Sequence, residues 1–337
     1  MNKRLNVLMV SAFYPAGPIK YLSEAFERMG LGVFRAGPEY NDHGGIDWGD
    51  FAVKTDLPFY REAEIWDIDK IMSAAAHVGF VPDFVFISEE NYQTNIIPTT
   101  KVPTVFWSMD GWPNNFKRGE ALNPTLLLTN HPNGIRAHPR EEDPRWKFMP
   151  GAAAPWIHRN LAMPRNLDFS IMATQYGYRT ELCQHFESRS YGVRYGFVRT
   201  EEYIEILNRS KFTYCNVNGN GGEAKWRGFE AMAMGCVNMI DEGINLFNRL
   251  GYLPDVHYVP VPIVERENGE FWPTGQILKE AWDSNWINGR YIYIADTARE
   301  KCLSQDTYYD RAKTVLTDLG FGHLGHLANE AKERDLT

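Results

Sequence analysis

The sequence predicts a two-domain α/β protein on three observations: short, almost continuously apolar runs alternate with segments of helical periodicity, the alternation occurs in two successive blocks, and most runs end in glycine, proline or small polar residues. The first block opens with Leu5-Asn-Val-Leu-Met-Val10, the pattern of a strand buried on both faces. A loop at 11–18 leads into Tyr21, Leu22, Ala25, Phe26 and Met29 at helical spacing, and Gly30 and Gly32 end that helix before a short strand at Val33-Phe34. After a Gly-rich polar stretch at 41–50, a helix near 65–78 precedes a strand at 82–87, with further strands at 104–107, 125–129 and 146–149. This block is the first domain, residues 1–155.

The second domain, residues 156–337, opens with a strand at 167–172 and a loop at 173–178. Helices at 179–189, 201–208 and 226–234 then alternate with strands at 212–215 and 236–240. The stretch 291–316 is helical in pattern, with Ala295, Ala298, Cys302, Tyr308, Ala312, Val315 and Leu316 on apolar stripes, and these C-terminal helices are candidates to pack back on the first domain. Two doubly wound sheets follow, with ligands expected at strand carboxyl edges facing an interdomain cleft.

Composition narrows the classes. A length of 337 residues suits about two domains, and 44% hydrophobic with 14% aromatic content belongs to ordered globular proteins. A formal charge of −8 opposes long-range attraction to a polyanion unless a local basic patch overrides it. Cys183, Cys215, Cys236 and Cys302 form no C-x-x-C pair, which points away from zinc and disulfide frameworks and toward reduced thiols in the cytoplasm. The apolar run at 5–12 is too short for a signal peptide or a membrane span.

The segment richest in chemistry is Asn218-Gly-Asn-Gly-Gly-Glu-Ala-Lys-Trp-Arg-Gly-Phe-Glu230. Gly219, Gly221 and Gly222 let backbone amides approach a ligand closely, and the helix start that follows offers unpaired N–H groups and partial positive charge suited to a diphosphate. Lys225 and Arg227 add charge, and Glu230 is placed to accept from ribose hydroxyls. The alternative is a polar loop and an amphipathic helix with Ala231, Met232, Ala233 and Met234 as core. Arg179, one loop beyond a strand, is a second candidate to neutralise a leaving diphosphate, or else a solvated helix-terminal arginine.

In the first domain Asp110 follows a buried strand inside Trp107-Ser-Met-Asp-Gly-Trp112, where it is a candidate base or an Asx-turn residue. His131 ends the next strand at the same sheet edge and is the second acid/base candidate. Trp107 and Trp112, with Phe116, Lys117 and Arg118 nearby, suit a sugar or an extruded base, though Trp107 also reads as core. The loop after the first strand, with Tyr14 and Gly17, should meet the acceptor. The other histidines, His158 among them, lack paired metal spacing and receive no role.

Arg227-Gly-Phe-Glu-Ala-Met-Ala-Met-Gly235 resembles the Arg-x-Phe-Glu-Ala-(Met/Leu)-Ala-x-Gly signature of the CgeB-like glycosyltransferases. Val102-Pro-Thr-Val-Phe-Trp-Ser-Met-Asp110, Leu167-Asp-Phe-Ser-Ile-Met-Ala-Thr with Tyr178-Arg179, and Thr307-Tyr-Tyr-Asp-Arg311 resemble further stretches of that family in the same order, so the likeness spans about residues 80–315. It implies a GT-B fold with a nucleotide sugar on the C-terminal domain, an acceptor on the N-terminal domain, and no required metal or other cofactor. It also matches Glu230 to the glutamate that contacts the donor ribose in related retaining enzymes. The second acidic residue of those enzymes would fall at Gly222, and here Glu223 stands beside it. The expected activity is sugar transfer from a nucleoside diphosphate sugar, UDP-sugar favoured, to a hydroxyl of a glycan, small molecule or protein. Two alternatives stay open. One is a DNA glycosyltransferase acting on hydroxymethylated pyrimidines, to which Lys117, Arg118, Arg136, Arg140, Arg145 and Lys147 would contribute charge. The other is a non-catalytic nucleotide-sugar-binding protein.

Overall fold

The computed structural model describes residues 4–38, 42–43, 46–47, 52–58, 66–89, 96–97, 101–109, 113–130, 146–173, 178–188, 192–196, 198–215, 226–242, 246–266, 271–287 and 289–337. The chain forms two compact units, Met1–Pro150 with Tyr308–Thr337, and Gly151–Thr307. The first unit begins β1 (Asn6–Val10), α1 (Pro18–Arg28), β2 (Gly32–Gly37), β3 (Asp42–His43), β4 (Ile46–Asp47), β5 (Leu57–Pro58), β6 (Trp66–Asp67) and α2 (Ile68–His77). It continues with β7 (Phe84–Glu89), β8 (Ile96–Ile97), β9 (Thr104–Ser108), α3 (Pro113–Leu122), β10 (Leu126–Thr129) and β11 (Trp146–Phe148). A seven-stranded sheet runs β11-β10-β9-β7-β1-β2-β5 with every pairing parallel, while β3 pairs with β4 and β6 with β8 outside it.

The apolar runs become strands because both faces of this sheet are covered: Val7, Leu8, Met9 and Val10 of β1 are buried, as are Phe84 to Ile87 of β7. Helix α1 turns Ile19, Leu22, Ala25 and Phe26 inward. It ends where Gly30 adopts φ 88°, so that its N–H reaches Glu27 and the N–H of Leu31 reaches Phe26.

The second unit contains β12 (Leu167–Ile171), α4 (Tyr178–Glu187), β13 (Val193–Tyr195), α5 (Thr200–Arg209), β14 (Ser210–Cys215), α6 (Trp226–Ala233) and β15 (Val237–Asp241). Then come α7 (Leu246–Arg249), β16 (Val259–Val261), the antiparallel pair β17 (Val264–Glu265) and β18 (Phe271–Trp272), α8 (Gly275–Ile287) and α9 (Arg290–Gln305). Its five-stranded parallel sheet has the order β13-β12-β14-β15-β16. Phe169, Ile171, Phe212, Tyr214 and Met239 pack on one face with Leu182, Phe186, Leu278 and Ile294. Met172 and Cys236 pack on the other with Ile206, Leu207, Ala231 and Met234. The four cysteines are buried free thiols.

Helices α10 (Tyr308–Asp318) and α11 (Gly325–Leu336) belong to the first unit. Tyr308 packs on Tyr21 at 5.6 Å and Phe321 on Phe84 at 6.1 Å between ring centroids. Arg311 Nε donates to the carbonyl of Pro150 at 3.0 Å, and Lys147 pairs with Asp318 at 2.7 Å. Asp335 accepts from Arg28 at 3.0 Å and from the Tyr309 hydroxyl.

The α/β class with two doubly wound sheets is the one the sequence predicts. Several elements differ in extent or were not expected. Strand β16 carries Pro260, which its place at the sheet edge permits because one side of the strand has no ladder to supply. Strand β13 is only three residues long, and α8 sets Leu278 into the core cluster with Ile277, Ala281 and Trp282 packed against it along one face.

Helix α6 ends on Gly235, whose φ is 72°. Its N–H reaches the carbonyl of Met232 and that of Cys236 the carbonyl of Ala231, both at 2.9 Å, the paired pattern of a left-handed helix stop. Substitution Gly235→Ala places a Cβ in the left-handed region and 3.0 Å from Arg165 Nη2. It should cost about 1–2 kcal/mol. Differential scanning calorimetry would read this as a fall of several degrees in the unfolding midpoint; an unchanged midpoint would contradict the assigned conformation.

Candidate functional site

In an open parallel sheet the ligand site lies beyond the carboxyl ends of the strands where strand order reverses. In the second sheet that reversal falls between β12 and β14. The chain beyond β12 enters α4 at Tyr178, and the chain beyond β14 enters α6 at Trp226. Segment 216–225 therefore links the carboxyl end of β14 to the amino end of α6. It carries Gly219, Gly221, Gly222, Glu223 and Lys225, which lie outside the described residues.

The start of α6 is held by close approaches. A Cβ on Gly151 would stand 2.7 Å from the Trp226 Cβ, and one on Gly228 would stand 2.5 Å from the tip of the Phe247 ring. The Gly228 carbonyl accepts from Asn238 Nδ2 on β15 at 2.8 Å. Phe229 packs on Phe247 and Tyr252 at 5.0 and 6.0 Å. Arg227 is half-buried and stands one helical turn before Glu230.

Glu230 is 3% exposed. The Tyr203 hydroxyl, on α5, donates to its Oε2 at 2.5 Å. His158 Nε2 lies 3.6 Å from Oε1, beyond a direct hydrogen bond. The other ring nitrogen of His158, Nδ1, accepts the Ala154 N–H at 3.0 Å, which in a neutral ring leaves the proton on Nε2, toward the carboxyl group. Burial pushes the Glu230 pKa from 4.5 up to about 7, opposed by the Tyr203 hydrogen bond and by the charge of Arg227. Beneath α6 a polar row crosses the sheet: Ser170, Thr213 and Asn238 are register partners on adjacent strands and all are buried, with Thr213 Oγ1 donating to the Ser170 carbonyl at 2.9 Å. The sequence named Glu230 as a ribose contact but gave no sign of its burial, nor of Tyr203 or His158 as its neighbours.

Arg179 belongs to a separate cluster. It is 6% exposed in the first turn of α4, with its guanidinium 5.8 Å from the centre of the Trp272 ring. Tyr178 lies 6.1 Å from Trp272, and the Arg266 guanidinium sits 4.7 Å over Tyr178 while pairing with Glu181 at 3.2 Å. Trp272 also stands 6.5 Å from Tyr214, whose hydroxyl donates at 2.5 Å to Asp241 at the carboxyl end of β15. This alternation of cations and rings ties the β17–β18 hairpin to the first turn of α4 and fixes a buried guanidinium at the strand-order reversal. The solvated arginine that the sequence also allowed does not fit this burial.

In the first unit the reversal falls between β1 and β7. Tyr14 is half-buried in the loop after β1, and its carbonyl accepts the Gly17 N–H at 2.9 Å. Gly17 caps α1 with φ −90° and ψ 150°, a conformation open to any residue. Lys20, in the first turn of α1, is a buried cation paired with Glu24 at 3.4 Å that the sequence gave no reason to single out. Trp107 is 1% exposed, donates from Nε1 to the Met149 carbonyl at 3.1 Å and meets Phe86 edge-on at 6.3 Å, so its ring lies in the core. Asp110, Trp112 and His131 lie outside the described residues.

No protein-family model matches the sequence, and no curated protein matches it. Solved structures do match. A sucrose-phosphate synthase from Thermosynechococcus elongatus is similar at a TM-score of 0.61 and 11% identity, covering 94% of this chain and 98% of its own. A glycosyltransferase from Rickettsia africae gives 0.59 and 10%, covering 95% and 98%. An α-glucosyltransferase in complex with UDP and a 13-mer DNA containing a HMU base gives 0.62 and 12%, covering 96% and 100%. These likenesses show the fold, which is the GT-B fold of glycosyltransferases. Among the described residues, no helix is long and apolar enough to cross a membrane, and no group of three or more His, Cys, Asp or Glu side chains could hold a metal ion.

The burial of Glu230 carries a pH consequence. An acid whose folded pKa exceeds its unfolded value binds more protons in the folded state between the two. Its contribution to stability is therefore full below 4.5 and lost as pH rises through about 7. The stability difference between the wild type and Glu230→Gln should shift against the wild type by about 3 kcal/mol from acidic to mildly alkaline pH. Thermal unfolding of both proteins across this range is the check, and parallel curves would contradict the raised pKa.

Proposed function

We propose that the protein is a metal-independent glycosyltransferase of the CgeB-like kind, which takes a sugar from a nucleoside diphosphate sugar, UDP-sugar first, bound by the second unit. The observation that carries this reading is the Gly-rich segment that joins the carboxyl end of β14, at the strand-order reversal, to the amino end of α6. The GT-B fold, matched across nearly the whole chain, and the likeness of 227–235 to the CgeB-like signature support it. Buried free thiols accord with a cytoplasmic setting.

In this reading the amides of Gly219, Gly221 and Gly222 and the first N–H groups of α6 receive the diphosphate. Lys225, Arg227 and Arg179 offset the charge that develops on the leaving group as the glycosidic bond breaks. Glu230 serves the ribose, with Glu223 near the sugar. On the first unit Tyr14, Gly17, Trp107 and Trp112 belong to the acceptor region, Trp107 as the packing behind it. Asp110 takes the proton from the attacking hydroxyl, with His131 as the second candidate. A DNA acceptor is the second reading, favoured by the solved α-glucosyltransferase that holds UDP and modified DNA on a similar fold. Duplex binding that weakens steeply with salt would select it over a glycan, small molecule or protein acceptor.

A thermal-shift panel of UDP, GDP, ADP, CDP and dTDP tests the donor assignment. A diphosphate at about 100 times its dissociation constant should add ~2.7 kcal/mol of stability, a rise of several degrees, and Arg179→Ala should reduce that rise. No shift with any diphosphate would sink the donor site and leave the scaffold without its assigned ligand.

A further inference from the structure

We propose that Tyr203 and His158 are positioning residues for Glu230: from α5 and from the turn at 154–158 they fix its carboxyl group on the buried side of α6, and through it the helix start that receives the nucleotide. The inference rests on the donor reading above.

The geometry is a clamp on two turns of one helix. The turn at 154–158 is closed on itself, with the His158 N–H reaching the Ala154 carbonyl at 2.7 Å and the Ala154 N–H reaching His158 Nδ1 at 3.0 Å. The same stretch of chain supports the first turn of α6, where Gly151 abuts Trp226, and the second, where His158 faces Glu230. Tyr203 closes the other side with a 2.5 Å hydrogen bond. Other groups that touch α6 act at other points. Cys302, on α9, reaches the Phe229 carbonyl at 3.3 Å, Arg299 reaches Ala233 at 3.2 Å, and Arg165 reaches Met234 at 2.6 Å. Among the described residues, Tyr203, His158 and the in-helix Arg227 are the titratable and charged groups set against the carboxyl, and the first two stand outside the helix. A hydroxyl donor favours the charged carboxylate, so removing it should raise the pH at which Glu230 ionises.

The test is UDP binding by calorimetry, with ligand-free thermal unfolding against pH, on the wild type, Tyr203→Phe, His158→Leu and His158→Gln. Tyr203→Phe should weaken UDP about tenfold, the loss of one buried hydrogen bond to a charged group. It should also move the Glu230-dependent step in the unfolding profile to higher pH. His158→Gln, which keeps a donor near Nε2, should stand closer to the wild type than His158→Leu. In a Glu230→Leu background the Tyr203→Phe change should have little further effect on UDP, because the two act as a pair. Equal weakening in both backgrounds, or an unfolding profile that Tyr203→Phe leaves in place, would overturn the proposal. A wild type that binds no diphosphate, while its unfolding profile still moves with Tyr203→Phe, would refute the donor reading and the nucleotide part of the inference, leaving the clamp itself supported.

Discussion

A carboxyl group inside a helix–sheet layer has to be compensated, and in the second unit the compensation of Glu230 draws together parts of the chain far apart in sequence. An unpaired buried carboxylate costs several kcal/mol, so the group either takes up a proton or finds donors. Glu230 does some of each: its pKa lies near neutrality and its oxygens face Tyr203 and His158. Satisfying it requires α5, α6 and the turn at 154–158 to meet in one arrangement. An apolar residue at this position would impose no such requirement on the packing of α6.

The same layer shows how a parallel sheet separates rigidity from chemistry. Strand interiors are filled with Val, Ile, Phe and Met, while the carboxyl ends and the helix starts beyond them carry the arginines, the glutamate and the glycines. Gly151 and Gly228 contribute by having no side chain: the first lets its own segment come against Trp226 at the start of α6, and the second lets the Phe247 ring reach the α6 backbone.

Much of the fold could be read in the sequence because parallel strands buried on both faces leave unmistakable runs such as Val7 to Val10 and Val105 to Trp107. Gly235 was equally legible, a glycine after a helical apolar run being the usual left-handed stop. What escaped was fixed by tertiary context. Pro260 hides an edge strand. At the candidate site the local signals named Arg227, Glu230 and Arg179, and the last two proved buried. Side-chain partners drawn from other elements were not legible: nothing near His158 or Tyr203 in sequence marks them as facing a carboxyl group. The polar row of Ser170, Thr213 and Asn238 was hidden for a related reason, since three hydroxyl or amide residues on separate strands align only once register is known.

The membership of α10 and α11 in the first unit makes the second unit an insertion within the first along the chain. During synthesis residues 151–307 leave the ribosome, free to collapse around their own sheet, before the partners of Tyr21, Phe84 and Arg28 have emerged. The part made first is therefore the last to be finished, and its half-built apolar faces must wait through the folding of the other. A chain arrested with residues 308–337 still inside the ribosome would present a second unit free to fold beside an unfinished first one, and it is the unfinished part that chaperones and proteases would meet.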